Sequence, residues 1–303
     1  MAFSTPIAPK SGVVRAPAVA AIVELLKPIT WFPPVWAYGC GAISAGYFAA
    51  DRWPEAIAGA ILAGPLVCGT SQAANDWFDR HVDAINEPGR PIPSGRVPGQ
   101  WGLWIAITGS VLSILFAAAL GTTVLIAAVA ALVLGWAYSA PPIRLKRNTW
   151  VSTAVCGACY EGLPWFTGAA AISGAMPAVP VITLAVLYSA GGCGILMLND
   201  FKSVEGDRRL GLLSIPVHIG IRNAALLACA AMALPQAFAA VALAHWDRPL
   251  HAAAIAALLC AQCLLMRRLV SDPERHAPWY NATGTLLFVA GMLVSAFAVR
   301  TLA

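Results

Sequence analysis

Apolar residues in this chain fall in long, nearly uncharged runs, and the charged residues gather between them. The runs cover residues 28–50, 56–75, 97–143, 148–199, 223–246, 249–266 and 276–299. A helix needs about 20 apolar residues to cross a bilayer. The run 97–143 is therefore too long for one crossing and divides at Leu120-Gly121-Thr122-Thr123. The run 148–199 is interrupted only by Glu161 and divides near Ser173-Gly174-Ala175-Met176-Pro177. The pattern predicts an all-α, polytopic membrane protein with nine transmembrane helices. Continuous apolar runs, in place of alternation, argue against a membrane β-barrel. Residues 1–27 carry Lys10, Arg15 and Lys27 and lack the apolar core and cleavage site of a signal peptide. They read as a mobile N-terminal cytoplasmic arm, with 28–303 forming one nine-helix domain.

Composition narrows the class further. Of the 303 residues 59% are hydrophobic and 11% are charged, against roughly 25% charged in soluble domains. That excludes a soluble globular domain, a disordered chain and a nucleic-acid reader. With nine spans the termini lie on opposite sides and the loops alternate. All Lys and Arg except Arg52, Arg248 and Arg300 then share the side of the N-terminus. The positive-inside rule makes that side the cytoplasm. The eight cysteines all lie in apolar runs. The spacings Cys156-x-x-Cys159 and Cys260-x-x-Cys263 have no charged or His neighbours of the kind a metal site uses, and read as packing residues.

The candidate chemistry sits at two cytoplasmic helix ends. The first reads Asn75-Asp76-Trp77-Phe78-Asp79-Arg80-His81-Val82-Asp83. Asp76, Asp79 and Asp83, at i, i+3 and i+7, share one helix face with Asn75 beside it. Three like charges so stacked repel, and a divalent cation would relieve them. Hard oxygen ligands suit Mg²⁺, which commonly shares its shell with substrate phosphates. The second reads Asn199-Asp200-Phe201-Lys202-Ser203-Val204-Glu205-Gly206-Asp207, with Asp200 and Asp207 again at i and i+7. Two such clusters with Mg²⁺ between them make a diphosphate clamp.

Basic loops flank both motifs. Arg90 and Arg96, in a Pro- and Gly-spaced loop that reads as stiff, are partners for a diphosphate. Lys146 or Arg144 could also reach phosphate, and Lys202 lies inside the second motif. The competing role for these cations is topological anchoring. Glu161 is the one charge well inside a predicted span. A buried acid should face a cavity, not lipid, either contacting substrate or serving structurally in its protonated form.

These residues resemble the UbiA superfamily of intramembrane prenyltransferases over nearly the whole chain, from Leu26-Lys27-Pro28 to the last span. The pair Asn75-Asp76-x-x-Asp79-x-x-x-Asp83 and Asn199-Asp200…Asp207-Arg208 carries the resemblance. Residues 75–96, 138–147, 162–166 and 198–216 are similar to its chlorophyll synthase branch, the bacteriochlorophyll synthases in particular. Many members have Arg-Pro where this chain has Lys27-Pro28, so the charge persists without the guanidinium fork. The resemblance implies helices around a central cavity, a Mg²⁺ cofactor, a geranylgeranyl or phytyl diphosphate donor and a chlorophyllide or bacteriochlorophyllide acceptor. It implies metal and catalytic roles for Asp76, Asp79, Asp83, Asp200 and Asp207. Substrate contacts then fall to Asn75, Arg90, Arg96, Lys146, Asn199, Lys202 and Glu161.

Such a reaction breaks an allylic C–O bond in an apolar cavity. Developing diphosphate charge needs cations, and the allylic cation needs a water-free pocket. Aromatic faces such as Tyr138, Tyr160 or Trp165 could stabilise it. A carboxylate acceptor is already ionised, so no general base is required. Other readings of the same residues are haem farnesylation, prenylation of a quinone precursor, or a membrane transporter or pigment carrier without catalysis.

Overall fold

The computed structural model describes residues 15–46, 52–210 and 214–302. Among them all regular structure is helical. Seven helices are long and apolar enough to cross a membrane: α3 (Trp53–Asn86), α4 (Trp101–Leu120), α5 (Thr122–Ser139), α8 (Val179–Asp200), α11 (Ile221–His245), α12 (Pro249–Ser271) and α13 (Pro273–Val299). The first expected span begins as a 3₁₀ turn, Pro28–Trp31, that runs into α2 (Phe32–Ser44). Its residues 47–50 lie outside the described ones. The fifth expected span is α6 (Thr149–Gly157) joined to α7 (Leu163–Ser173) through a π turn, Ala158–Gly162. The expected breaks fall at Gly121 and Gly174, both with positive φ. The protein is thus an all-α, multi-pass membrane protein, with apolar side chains such as Leu115, Ile126, Val133, Phe238 and Val241 left exposed on its outside.

The reading of residues 1–27 as a mobile arm needs correction. Lys10 lies outside the described residues, but α1 (Val19–Leu25) is a packed helix. Ala21 and Leu25, one turn apart, are buried on one face against Ala73, Ala74 and Val97. Burial of that face, just ahead of the first span, fixes the segment.

Two π turns interrupt the bundle, each tied to a proline. Pro65 lies within the turn Leu62–Cys68 of α3, and Pro164 follows the turn Ala158–Gly162. A proline has no N–H for the carbonyl four residues back, and a wider turn absorbs the mismatch. In the middle of the bundle Trp165 stacks on Tyr188 with ring centroids 5.4 Å apart, and Phe288 meets Tyr188 edge-on at 5.3 Å. Trp165 Nε1 donates to Ser44 Oγ at 3.2 Å. These contacts tie together α2, α7, α8 and α13. Helices α2 and α7 touch backbone to backbone: a Cβ on Gly41 would collide with the Trp165 carbonyl, and one on Gly168 with the Tyr38 carbonyl. Small residues at helix crossings supply close van der Waals contact where lipid removes the hydrophobic drive.

Candidate active site

Helix α3 continues past the membrane run to Asn86 and carries the first acidic motif on its last turns. Asp76, Asp79 and Asp83 lie on one face, as their spacing predicts. Asp76 is 1% exposed and accepts from Lys27 Nζ at 2.6 Å. Arg90 Nη1 reaches Asp83 at 2.9 Å and Asp76 at 3.4 Å, while its Nε and Nη2 hold Glu87 at 2.6 and 2.8 Å. Lys146 binds both oxygens of Asp79, with Arg144 at 3.5 Å. Asn75 Nδ2 donates to Ser139 Oγ at 2.8 Å and to Asp79 at 3.2 Å. The repulsion among the three carboxylates is thus answered by four cations from three other segments. Lys27, absent from the sequence-derived site residues, has the shortest contact to Asp76. Its backbone is left-handed, φ 48°. The Lys27-Pro28 pair was the signal for it, since the charge precedes a helix start.

The second motif differs from its spacing. Asp200 ends α8, a turn follows, α9 (Val204–Leu210) is a separate helix, and the short α10 (Ile215–Ile219) precedes α11. Asp200 and Asp207 therefore do not share a continuous helix face. The turn forms because Phe201 and Val204 are drawn into the core, at 1% and 2% exposure. Ser203 Oγ joins the two ends, its single proton within reach of Asp207 Oδ2 at 3.0 Å and of the Asp200 carbonyl at 3.2 Å. Glu205 pairs with Arg208 and Arg209 on the surface of α9.

Four other candidates stand elsewhere. Arg96 pairs with Glu24 of α1 and with the Gly89 carbonyl at 2.7 Å, away from the carboxylates. Asn199 and Lys202 are exposed. Glu161 is buried in the π turn, with Gly192 of α8 so near that a Cβ there would meet Glu161 Cγ at 2.8 Å. Glu161 thus packs into the helix interior and is not among the side chains of the cavity. The neighbouring Tyr160 takes the cavity side of that turn.

A cavity of about 240 Å³ runs along α3 from Asn75 to Leu62. Thirteen residues of helix span about 20 Å. Its Asn75 end holds Ser71, Gln72, Tyr138 and Tyr160, and its far end holds Leu62, Ala63, Ala127 and Thr167. Cys156 on its wall neighbours Tyr138. Cys68 and Cys159 also line it, while Cys260 and Cys263 are exposed on α12.

The donor set fits a hard divalent ion. The first motif offers carboxylate oxygens, and Asp76 Oδ2 is buried with no hydrogen-bond partner. Among the described residues no three carboxylates, His or Cys converge as a ready-made metal cage. The arrangement suits an ion that arrives with oxygen ligands of its own.

Helical bundle, twin acidic ends, flanking cations and apolar cavity together define an intramembrane prenyltransferase, and the UbiA prenyltransferase family matches residues 35–292. The chain belongs to that family. It is 53% identical to the bacteriochlorophyll synthase 33 kDa chain of Cereibacter sphaeroides over 94% of this chain and 95% of that protein. It is 40% identical to the chloroplastic chlorophyll synthase of Arabidopsis thaliana, over 91% of this chain and 73% of that one. Its fold matches a UbiA homologue from Archaeoglobus fulgidus bound to DMAPP and Mg²⁺, with TM-score 0.70, 20% identity and coverage of 93% and 100% of the two chains.

Proposed function

We propose that this prenyltransferase esterifies the propionate of a chlorophyllide or bacteriochlorophyllide with a geranylgeranyl or phytyl group taken from its diphosphate. The observation that carries the reading is an apolar cavity whose Asn75 end adjoins, through the Asn75–Asp79 hydrogen bond, a carboxylate face already lined by four cations. A long isoprenoid fits the apolar length, and its diphosphate fits the charged end. The 53% identity to a bacteriochlorophyll synthase chain supports the acceptor.

Lys27, Arg90, Arg144 and Lys146 can pass from carboxylate to phosphate oxygens without leaving the site, and so neutralise the leaving group as its charge grows. Asp76 and Asp79, with Asp200 and Asp207 of the second motif, would hold Mg²⁺, which supplies Lewis-acid neutralisation of the diphosphate. The C1–O bond to diphosphate breaks and diphosphate departs with the electron pair. A propionate oxygen then forms the new bond to C1, and no proton moves. The apolar wall keeps water from the allylic cation. The positive-inside rule supports an inner-membrane placement with the N-terminus and both motifs cytoplasmic and the C-terminus opposite.

The test incubates the purified protein with geranylgeranyl diphosphate and, in turn, bacteriochlorophyllide, chlorophyllide, haem or 4-hydroxybenzoate. Esterified pigment that disappears on chelation is the expected result. Prenylation of haem or the benzoate alone would overturn the acceptor assignment, and full activity in EDTA would overturn the metal.

A further inference from the structure

The charged cluster beside the Asn75 end of the cavity accounts for the donor's diphosphate but leaves the acceptor's carboxylate without a partner. A propionate entering an apolar cavity loses its water and needs a hydrogen-bond donor near the carbon it attacks. Among the polar groups on the cavity wall, the phenol of Tyr160 is placed for this. The π turn Ala158–Gly162 turns Tyr160 toward the cavity while Glu161 faces the helix interior. Gln72 Nε2 donates to the Tyr160 hydroxyl at 2.9 Å. A phenol has one proton to give, and accepting from Gln72 leaves that proton available. Its near neighbour is the Cys68 sulfur, a weak acceptor that a carboxylate would displace. Gln72 is one helical turn from Asn75, about 4.5 Å along α3. A carboxylate held there stands beside the end of the cavity where the diphosphate departs, the closeness that bond formation requires.

We propose that Tyr160, oriented by Gln72, binds the acceptor's carboxylate and aims its oxygen at C1 of the prenyl group. This rests on the esterification reading above. The bond made is propionate O to C1, the bond broken is C1 to diphosphate oxygen, and Tyr160 keeps its proton throughout. Ester formation removes the carboxylate's charge, so the Tyr160 contact weakens in the product and favours release.

The experiment compares wild type, Tyr160→Phe, Tyr160→Leu and Gln72→Leu as purified full-length proteins. Kinetics with bacteriochlorophyllide or chlorophyllide are joined to donor-free pigment binding, read by absorbance, for the free acid and for its propionate methyl ester. Tyr160→Phe should raise the KM for pigment roughly tenfold and leave the KM for diphosphate unchanged, since it removes one donor to a charged acceptor. Wild type should bind the free acid better than the methyl ester, and Tyr160→Phe should lose that preference. Gln72→Leu should shift both readouts in the same direction by less. If wild type and Tyr160→Phe both esterify and both keep the acid preference, the inference is overturned. It is also overturned if only Tyr160→Leu is impaired, since the ring and not the hydroxyl then acts. A wild type that esterifies no chlorophyllide would instead overturn the function, which the kinetic arm reads separately.

Discussion

Asp76 is the most buried acid among the described residues, and it meets an ammonium from the start of the first span and a guanidinium from the loop after α3, with one buried oxygen left without a partner. A buried carboxylate so surrounded acts through its charge. Replacing it by asparagine keeps the shape and removes the charge. Asp76→Asn should lower kcat by on the order of a hundredfold, as expected where charge stabilisation belongs to the transition state. Asp200→Asn should do the same through the second motif, and single-turnover assays at saturating pigment check both. Lys27 gives a finer test. Lys27→Arg keeps the cation and should retain most activity, whereas Lys27→Met leaves Asp76 short of a partner and should lose roughly tenfold or more. Equal activity in the two variants would show that Lys27 has no electrostatic role.

At the level of elements, helix crossings and the α1 strap set the site. Gly168 and Gly41 allow α2 and α7 to meet through their backbones, which holds Trp165 on Tyr188 and keeps the π turn in place. Gly168→Val should abolish folded protein in detergent size-exclusion profiles. Gly39, on the same helix α2, is the control, because a Cβ added there would have nothing within 4 Å. Gly39→Ala should be neutral or stabilising by up to about 1 kcal/mol through helix propensity. The strap is held by Arg96, whose hydrogen bond keeps the Glu24 carboxyl below its ordinary value of 4.5. A carboxyl lowered in the folded state contributes above its unfolded value and loses that contribution as pH falls through the lowered one. The protection of α1 amides relative to their intrinsic exchange rates should therefore be steady from neutral pH down to about pH 5 and fall below about pH 4.5. The effect is modest, because the pair is exposed. In Arg96→Gln the exchange should be raised already at neutral pH.

For the molecule as a whole, the basic residues define the sidedness. With Arg52, Arg248 and Arg300 alone on the far side, the positive-inside rule predicts a cytoplasmic N-terminus and a C-terminus across the membrane. Reporter fusions at Lys10 and after Ala303 should report opposite sides. The same side for both would mean that one of the two interrupted segments, Pro28–Ser44 or Thr149–Ser173, fails to cross.

Apolar runs, turn positions and the shared face of Asp76, Asp79 and Asp83 were legible from the amino acids alone. Each depends on local periodicity or on the solvent preference of one segment, and neighbours in sequence suffice to encode both. The N-terminal limit was not, because α1 is held by contacts with residues far along the chain. Tertiary structure also decided which cation meets which acid. Lys27 meets Asp76 across 49 positions, Arg96 meets Glu24 across 72, and Gln72 meets Tyr160 across 88. It split the second motif by burying Phe201, and it turned Glu161 inward while Tyr160 faced the cavity. Such choices follow from how helices cross and where prolines widen a turn, and a side chain's distant partner exists only once the helices have packed.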